Sequence, residues 1–280
     1  MYHYKEKYSI SAMCQFFRIS RAAYYAWQKQ LDQPDPNQFR KELIQEAYRA
    51  SKHTYGYRRV TAWIAKKKGI CINHKATLRL MRLMGMQSEI RRRKRRQQGA
   101  GENYSLRYPN LLERNFEAVR ANQKWGTDVT FIRTAQGMLH LSVIKDMFDG
   151  FIVSYDMSIT NSLGLVLNTL TKALQKETIP EGLVLHSDQG HQYCSKAYAN
   201  VLQQHKMMAS MSRKGDCLDN APTENFFSHL KTELIYRVGL LPLSEMKQII
   251  EEYIYFYNYE RIQLKTKQTP FELRCLSFDA

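Results

Sequence analysis

The sequence predicts an all-helical, basic N-terminal part, followed by a part of mixed sheet and interleaved helices, α/β or α+β in class. Three observations carry this. Residues 1–120 hold 26 Lys and Arg against 9 Asp and Glu, whereas residues 121–280 hold 16 against 17, so the whole excess positive charge lies in the first part. Apolar residues recur at helical spacing up to Gly85. From Trp125 onward the pattern changes to short β-branched and aromatic runs broken by glycine-containing turns.

In the first part, Ile10, Met13, Cys14 and Phe17 mark one short helix and Arg18-Ile19-Ser20 a turn. Ser20 caps a second helix over Arg21 to Lys29. This hairpin, within residues 1–35, has the size of a helix-turn-helix or of a plain structural hairpin. Leu31 to Asn37, with Pro34 and Pro36, is a break. Three helices follow: about Asn37 to Ala50, then from Tyr55-Gly56-Tyr57-Arg58-Arg59-Val60 to Lys68 with a stop at Gly69, then from an Asn73 cap through Met84 to Gly85. They carry Arg58, Arg59, Lys66, Lys67, Lys68, Lys75, Arg79 and Arg82. With the run Arg91-Arg92-Arg93-Lys94-Arg95-Arg96 they make residues 36–96 a candidate DNA-binding unit with a cationic arm. A polar, Gly-containing stretch places a linker at 97–120 and the second part at 121–280.

In the second part, Asp128 to Ile132, Leu139 to Ile144 and Phe151 to Tyr155 read as an antiparallel meander. Ser162 to Lys176 is a helix, Leu183 to His186 a short buried strand, Lys196 to His205 a helix and Met207 to Met211 a last strand. Ser212 to Cys217, with Arg213 and Lys214, is a loop. Asp219 or Asn220 then caps a helix whose first turns hold Glu224.

Three acids stand out within this frame. Asp128 lies on a strand, Asp188 just past the end of another, and Glu224 near a helix start, with 35 residues between it and Asp188. Acids at the ends of elements can converge on one face of a sheet. Gathered carboxylates make a hard, oxygen-rich site suited to Mg²⁺ or Mn²⁺. Two such ions can clamp the attacking and leaving oxygens of a phosphodiester. A basic module joined to a near-neutral one fits a polyanion as substrate. No apolar run reaches membrane-spanning length, and the N-terminus lacks the core of a signal peptide. The five cysteines are scattered, without zinc spacing, which fits free thiols in a cytoplasmic protein.

The residues around the acids are more specific than their spacing. Trp-x-Thr-Asp at 125–128, His-Ser-Asp-Gln-Gly-x-Gln-Tyr at 186–193, the Ser212–Glu233 stretch with Asp-Asn-Ala-Pro-x-Glu-x-Phe-Phe, and Tyr-Asn-x-x-Arg at 257–261 occur in that order. Together they resemble the catalytic core of the DDE insertion-sequence transposases, in the group whose enzyme is read from two overlapping frames. This chain resembles the second-frame product. The resemblance is strong over about 120–275 and extends more weakly to the helices around Tyr55 to Arg59.

That resemblance implies an RNase H-like, retroviral-integrase-like core, a five-stranded mixed sheet flanked by helices. It implies Asp128, Asp188 and Glu224 as a metal-binding catalytic triad with two Mg²⁺ ions, for which Mn²⁺ can substitute. The activity it implies is cleavage of element ends to leave 3′-hydroxyls, then strand transfer by those hydroxyls through a circular intermediate. The implied partners are double-stranded DNA, further copies of the chain on DNA, and a first-frame protein, separate or fused. The implied location is the bacterial cytoplasm, at the nucleoid. Lys231, two helical turns after Glu224, is a candidate phosphate contact, as are Arg58, Arg59, Arg213, Lys214, Arg261 and the Arg91–Arg96 run. His186 and Asn220 are candidates to orient the acids, a structural hydrogen bond being the competing role for His186. Trp125 is expected in the core, and Asp219 as a helix cap rather than a ligand.

The chain departs from the family at Gln263, where a histidine is usual, and has no counterpart of the integrase zinc module and no sustained heptads. Two other readings stay open: an RNase H-like DNA nuclease that cuts without strand transfer, and a non-catalytic DNA-binding regulator.

Overall fold

The computed structural model describes residues 2–31, 33–88, 107–213 and 216–276. The Arg91–Arg96 run and Lys214 lie outside the described residues.

The meander forms as expected, with longer strands. β1 (Lys124–Thr134), β2 (Gly137–Asp146) and β3 (Ile152–Ser158) pair antiparallel. Gly137, at φ 129°, allows the tight β1–β2 turn that a residue with a β-carbon would strain. After helix α6 (Leu163–Lys176), capped by the Ser162 hydroxyl, the chain crosses to the other side of β1. There β4 (Val184–Ser187) pairs parallel to β1, and after α7 (Lys196–Gln204), β5 (Met208–Met211) pairs parallel to β4. The sheet order is β3-β2-β1-β4-β5, so β1 is the central strand.

Period-two alternation sends successive side chains to opposite faces, and each face has its own core. Trp125, Ile144 and Val153 pack with Val166 and Leu170 of α6 and with Tyr198 and Leu202 of α7. Leu139, Leu141 and Val143 face the other way, toward Phe226, Phe227 and Leu230 of α8 (Ala221–Leu230). Trp125 is fully buried, as expected. A single π turn over Lys231–Ile235 continues α8 into the short α9 (Tyr236–Val238). Then come α10 (Leu243–Tyr259) and α11 (Pro270–Leu276).

The basic helices do not stand apart from this second core. After the hairpin α1 (Ile10–Phe16) and α2 (Arg21–Leu31), the helices α3 (Gln38–Ala50), α4 (Tyr57–Lys68) and α5 (His74–Leu83) bury Ile44, Ala47, Val60, Ile64 and Leu80. These residues belong to the same apolar cluster as Phe226, Met246 and Ile250. The stops read from sequence are in place: Gly69 and Gly85 both take φ 68°, and the Asn73 side chain accepts from the Lys75 N–H at 2.8 Å.

The Tyr-Asn-x-x-Arg motif works inside the fold. Tyr257 meets Phe226 edge-to-face at 4.8 Å. Asn258 closes the free edge of β3, accepting from Ile152 N–H at 2.9 Å and donating to its carbonyl at 3.0 Å. Arg261 is 3% exposed and binds both oxygens of Glu233 at 2.9 and 2.6 Å. This corrects the expectation that Arg261 contacts DNA, because a buried guanidinium committed to a carboxylate cannot also reach a phosphate. Gln263, the departure from the family, donates to the Asp149 carbonyl. Further on, Arg274 fastens α11 to the sheet through Asp146, Asp149 and Glu177.

Candidate active site

Strand register brings the first two acids abreast. Gly126 pairs with His186 in the parallel β1–β4 ladder, so Asp128 and Asp188 each lie two residues further along, at the C-terminal end of that pair. Crevices beyond the carboxyl ends of parallel strands are where sheets of this kind place ligands. β4 ends at Ser187, which releases Asp188 from the ladder, and its Oδ1 accepts from the Gly190 N–H at 2.9 Å.

The third acid arrives on α8. Gly126 and Asp128 share the face of β1 that α8 covers. The missing side chain of Gly126 makes room for Thr223, which immediately precedes Glu224. Lys145 of β2 donates to the Pro222 carbonyl at 2.9 Å, fixing the start of the helix. Asn220 reaches from the helix start to the Thr127 carbonyl at 3.5 Å, and its Oδ1 is buried with no hydrogen-bond partner.

The electrostatics record the crowding. Burial raises the pKa of the half-buried Asp128 carboxyl well above the ordinary range, and the charges of Asp188 and then Glu224 raise it further. The Val129 N–H and Lys231 oppose this. Asp188 opens to solvent on one side, but the protein packed around it, and then Glu224, also push its carboxyl up, against the Gly190 N–H and His191. Lys231 stands 5.2 Å over the Phe131 ring. Desolvation lowers its pKa and the Asp128 charge raises it. Among the described residues, no three His, Cys, Asp or Glu side chains are gathered into one ligand shell. The acids are thus neighbours that repel one another. Such a donor set fits a hard divalent cation, which would relieve the repulsion.

Other expected site residues fall elsewhere. His186 is fully buried between β4 and β5, its Nδ1 2.8 Å from the Ser210 hydroxyl and its Nε2 3.1 Å from that of Ser212. Both ring nitrogens are occupied, so His186 does not orient the acids, and its role is structural. Asp219 does not cap α8. It accepts from Arg213 N, Nε and Nη2 at 3.0, 2.9 and 2.8 Å and from Arg114 Nε at 3.0 Å. Those bonds, Arg213's first, hold its carboxyl well below the usual range although burial works against ionisation. Arg213 is therefore engaged within the protein, with its head still partly exposed.

Arg58 is exposed and, among the described residues, its guanidinium meets the neighbouring Tyr57, donating to the hydroxyl at 3.1 Å. Arg59 turns inward to within 3.6 Å of Glu233, which corrects its reading as a surface phosphate contact. Lys66 and Lys68 pair with Glu272 and Glu46. On α5, by contrast, Lys75, Arg79 and Arg82 form an exposed stripe at helical spacing. The sequence places these three on a helix but does not distinguish them from the cations that pair inside. It also gives no sign of the partners of Arg114, Thr223 and Glu233, because each is fixed by a residue distant in the chain.

Comparisons with known proteins give the family. Models of the integrase core domain match residues 118–217 and 224–278, and a model of an HTH-like domain matches residues 35–94. The putative transposase InsK of insertion sequence IS150 from Escherichia coli is 39% identical over 96% of this chain and 95% of its own length. The transposase InsF of IS3A, from the same organism, is 32% identical over 90% and 88%. Among solved structures, the simian T-cell lymphotropic virus intasome in complex with PP2A regulatory subunit B56 gamma matches with a TM-score of 0.50 at 14% identity, over 76% of this chain and 74% of that one. That likeness is one of fold. In the described residues no helix is long and apolar enough to cross a membrane. By sequence, fold and the order of its motifs, the chain belongs to the insertion-sequence transposases of the IS3 and IS150 kind, with a retroviral-integrase-like core and an HTH-like domain ahead of it.

Proposed function

We propose that this transposase cleaves the ends of its insertion sequence and joins them to target DNA through a DDE triad of Asp128, Asp188 and Glu224. The observation that carries the reading is the β1–β4 register, which sets Asp128 and Asp188 side by side under the helix that bears Glu224. The three carboxylates would hold two Mg²⁺ ions, or Mn²⁺ in their place, and the bound metal would activate water or a 3′-hydroxyl and stabilise the leaving 3′-oxygen.

The chain's own residues do the rest. Asp128 comes from the central strand and Asp188 from the residue just past β4, so the parallel pairing of these two strands brings them to the same end of the sheet. Lys231, whose charge acts on Asp128, offers a positive charge for a scissile phosphate. The α5 stripe, Arg58 and the Arg91–Arg96 run bind the duplex through its phosphates, with Arg213 and Lys214 as further phosphate contacts. Two ends must be held at once, so the working unit is an assembly of more than one copy on double-stranded DNA. A first-frame protein, separate or fused, supplies terminal-repeat recognition. The reaction would take place in the bacterial cytoplasm, at the nucleoid, a reading that the bacterial relatives support.

The test is cleavage and joining of labelled element ends with Mg²⁺, with Mn²⁺ and with EDTA, on the wild type beside Glu224→Gln. Metal-dependent nicking and joining, both lost in the variant, is the expected result. Nicking without joining, even with the first-frame protein added, would make the chain a nuclease. Binding without any chemistry would make it a regulator.

A further inference from the structure

Glu233 is a largely buried anion outside the triad, its side chain 9% exposed, and residues from three separate segments meet on it. It sits in the π turn that follows α8, nine residues beyond Glu224 on one continuous helical path. Arg261 binds both of its oxygens, and the Tyr253 hydroxyl of α10 donates to Oε2 at 2.9 Å. His229, one turn back, is 3.5 Å away. From the HTH-like domain, Arg59 of α4 approaches to 3.6 Å. Burial opposes ionisation of Glu233, yet the His229 and Arg261 contacts hold its carboxyl well below the usual range. The carboxylate is therefore charged whenever the protein is folded near neutrality.

The same seam continues beside it. The Arg59 guanidinium lies 5.7 Å from the Tyr55 ring, and the Tyr55 hydroxyl accepts from Ile262 N–H at 2.6 Å and donates to the Glu260 carbonyl at 3.3 Å. Arg237, just past the π turn, donates to the Lys52 carbonyl at 2.7 Å. The helix that delivers Glu224 is thus tied at its far end to the DNA-binding domain and to the C-terminal helices at once. Single π turns inside α-helices are frequent at functional sites.

We propose that Glu233 is a positioning residue, the anion on which Arg59 clamps the HTH-like domain to the helix bearing Glu224, so that docking of that domain sets the placement of the third catalytic acid. The proposal rests on the reading of Glu224 as catalytic. It predicts that breaking the clamp leaves DNA held but poorly processed.

The full-length chain is compared as wild type, Arg59→Met, Arg59→Lys, Glu233→Gln and the Arg59→Met/Glu233→Gln double variant. Three quantities are read: affinity for element ends, joining rate at saturating DNA, and hydrogen exchange of the 221–230 amides. Arg59→Met should lower joining about tenfold while changing end affinity less than about twofold, and the double variant should be no slower than Glu233→Gln alone. Arg59→Lys, which keeps the cation, should restore much of the rate. Glu233→Gln strands the buried Arg261, so if it fails to fold the Arg59 variants alone decide. Wild-type joining in Arg59→Met overturns the proposal. So does a loss of joining that merely follows lost affinity, since Arg59 would then be a DNA contact. If the wild type itself does not join ends even with the first-frame protein added, the transposase reading fails separately. Exchange then decides the clamp: faster exchange over 221–230 in Arg59→Met supports it, and unchanged exchange overturns it.

Discussion

Gly126 and Thr223 face each other across the contact between β1 and α8, and a β-carbon built on Gly126 would overlap the Thr223 hydroxyl. The Met147 methyl would lie 3.0 Å from the same carbon. This contact sets how closely the helix carrying Glu224 approaches the strand carrying Asp128. The Thr223 hydroxyl is buried and has no hydrogen-bond partner, so it contributes volume rather than a bond.

A compensation experiment follows from that packing. Gly126→Ala forces the helix outward and should cost about 1–3 kcal/mol, the usual penalty of overpacking, and should slow cleavage as Glu224 moves from Asp128. Thr223→Ala alone should be nearly neutral, since it deletes an unsatisfied hydroxyl along with a methyl. In the double variant the new methyl occupies the vacated space, and both stability and cleavage should recover most of the loss. Urea midpoints for the four proteins decide it. A double variant no more stable than Gly126→Ala would show that the contact does not limit the approach.

Much of this site was legible in the sequence, and the reason is local. Asp188 and Glu224 sit at element ends, which are written in short patterns such as the β-branched run before Asp188 and the Asp-Asn-Ala-Pro helix start before Glu224, and Asp128 sits inside a β-branched strand that the same alternation reveals. Cations were harder. Arg58 and Arg59 are adjacent, and Lys75 lies in the first turn of the next helix, yet one stays outside, one turns to Glu233 and one joins an exposed stripe. What separates them is which carboxylate a distant segment supplies, and neither composition nor periodicity encodes that. His186 illustrates the same limit. A histidine two residues before an acid looks like its orienter, but the β4–β5 pairing sets it between two serines.

That placement gives His186 a pH signature. Burial lowers its pKa from 6.5 to about 4. Ser210 Oγ already accepts from the Leu111 N–H at 2.9 Å, so a second donor on the ring is poorly received. The unfolded chain binds the proton first, so this contribution to stability is present above the ordinary histidine pKa and is lost as pH falls through about 6.5 toward 4. Each pH unit in that window corresponds to about 1.4 kcal/mol, for a total on the order of 3 kcal/mol. His186→Asn removes the titrating group. Its denaturant midpoint should therefore fall less steeply between about pH 7 and about pH 4.5 than that of the wild type, in proportion to this window. Parallel curves for the two proteins would mean that the imidazole is not held neutral.

Asp219 is the last residue whose place changes an expectation. As a helix cap it would tolerate Asn, which caps as well as Asp does. As the acceptor of four donors from Arg213 and Arg114 it would not, because an amide offers one acceptor oxygen and no charge to two guanidinium groups. These bonds tie the end of β5 and the 107–115 segment to the residue just before Asn220, where α8 begins. Losing them frees the start of the helix that places Glu224. Asp219→Asn should therefore lower cleavage at least about tenfold while leaving DNA-end affinity within about twofold, the split expected when placement rather than binding is damaged. Raised proteolysis within 213–219, against unchanged cutting elsewhere, should accompany it. An Asp219→Asn protein that cleaves like the wild type would return Asp219 to the role of a cap and leave the two arginines as surface cations, free for DNA.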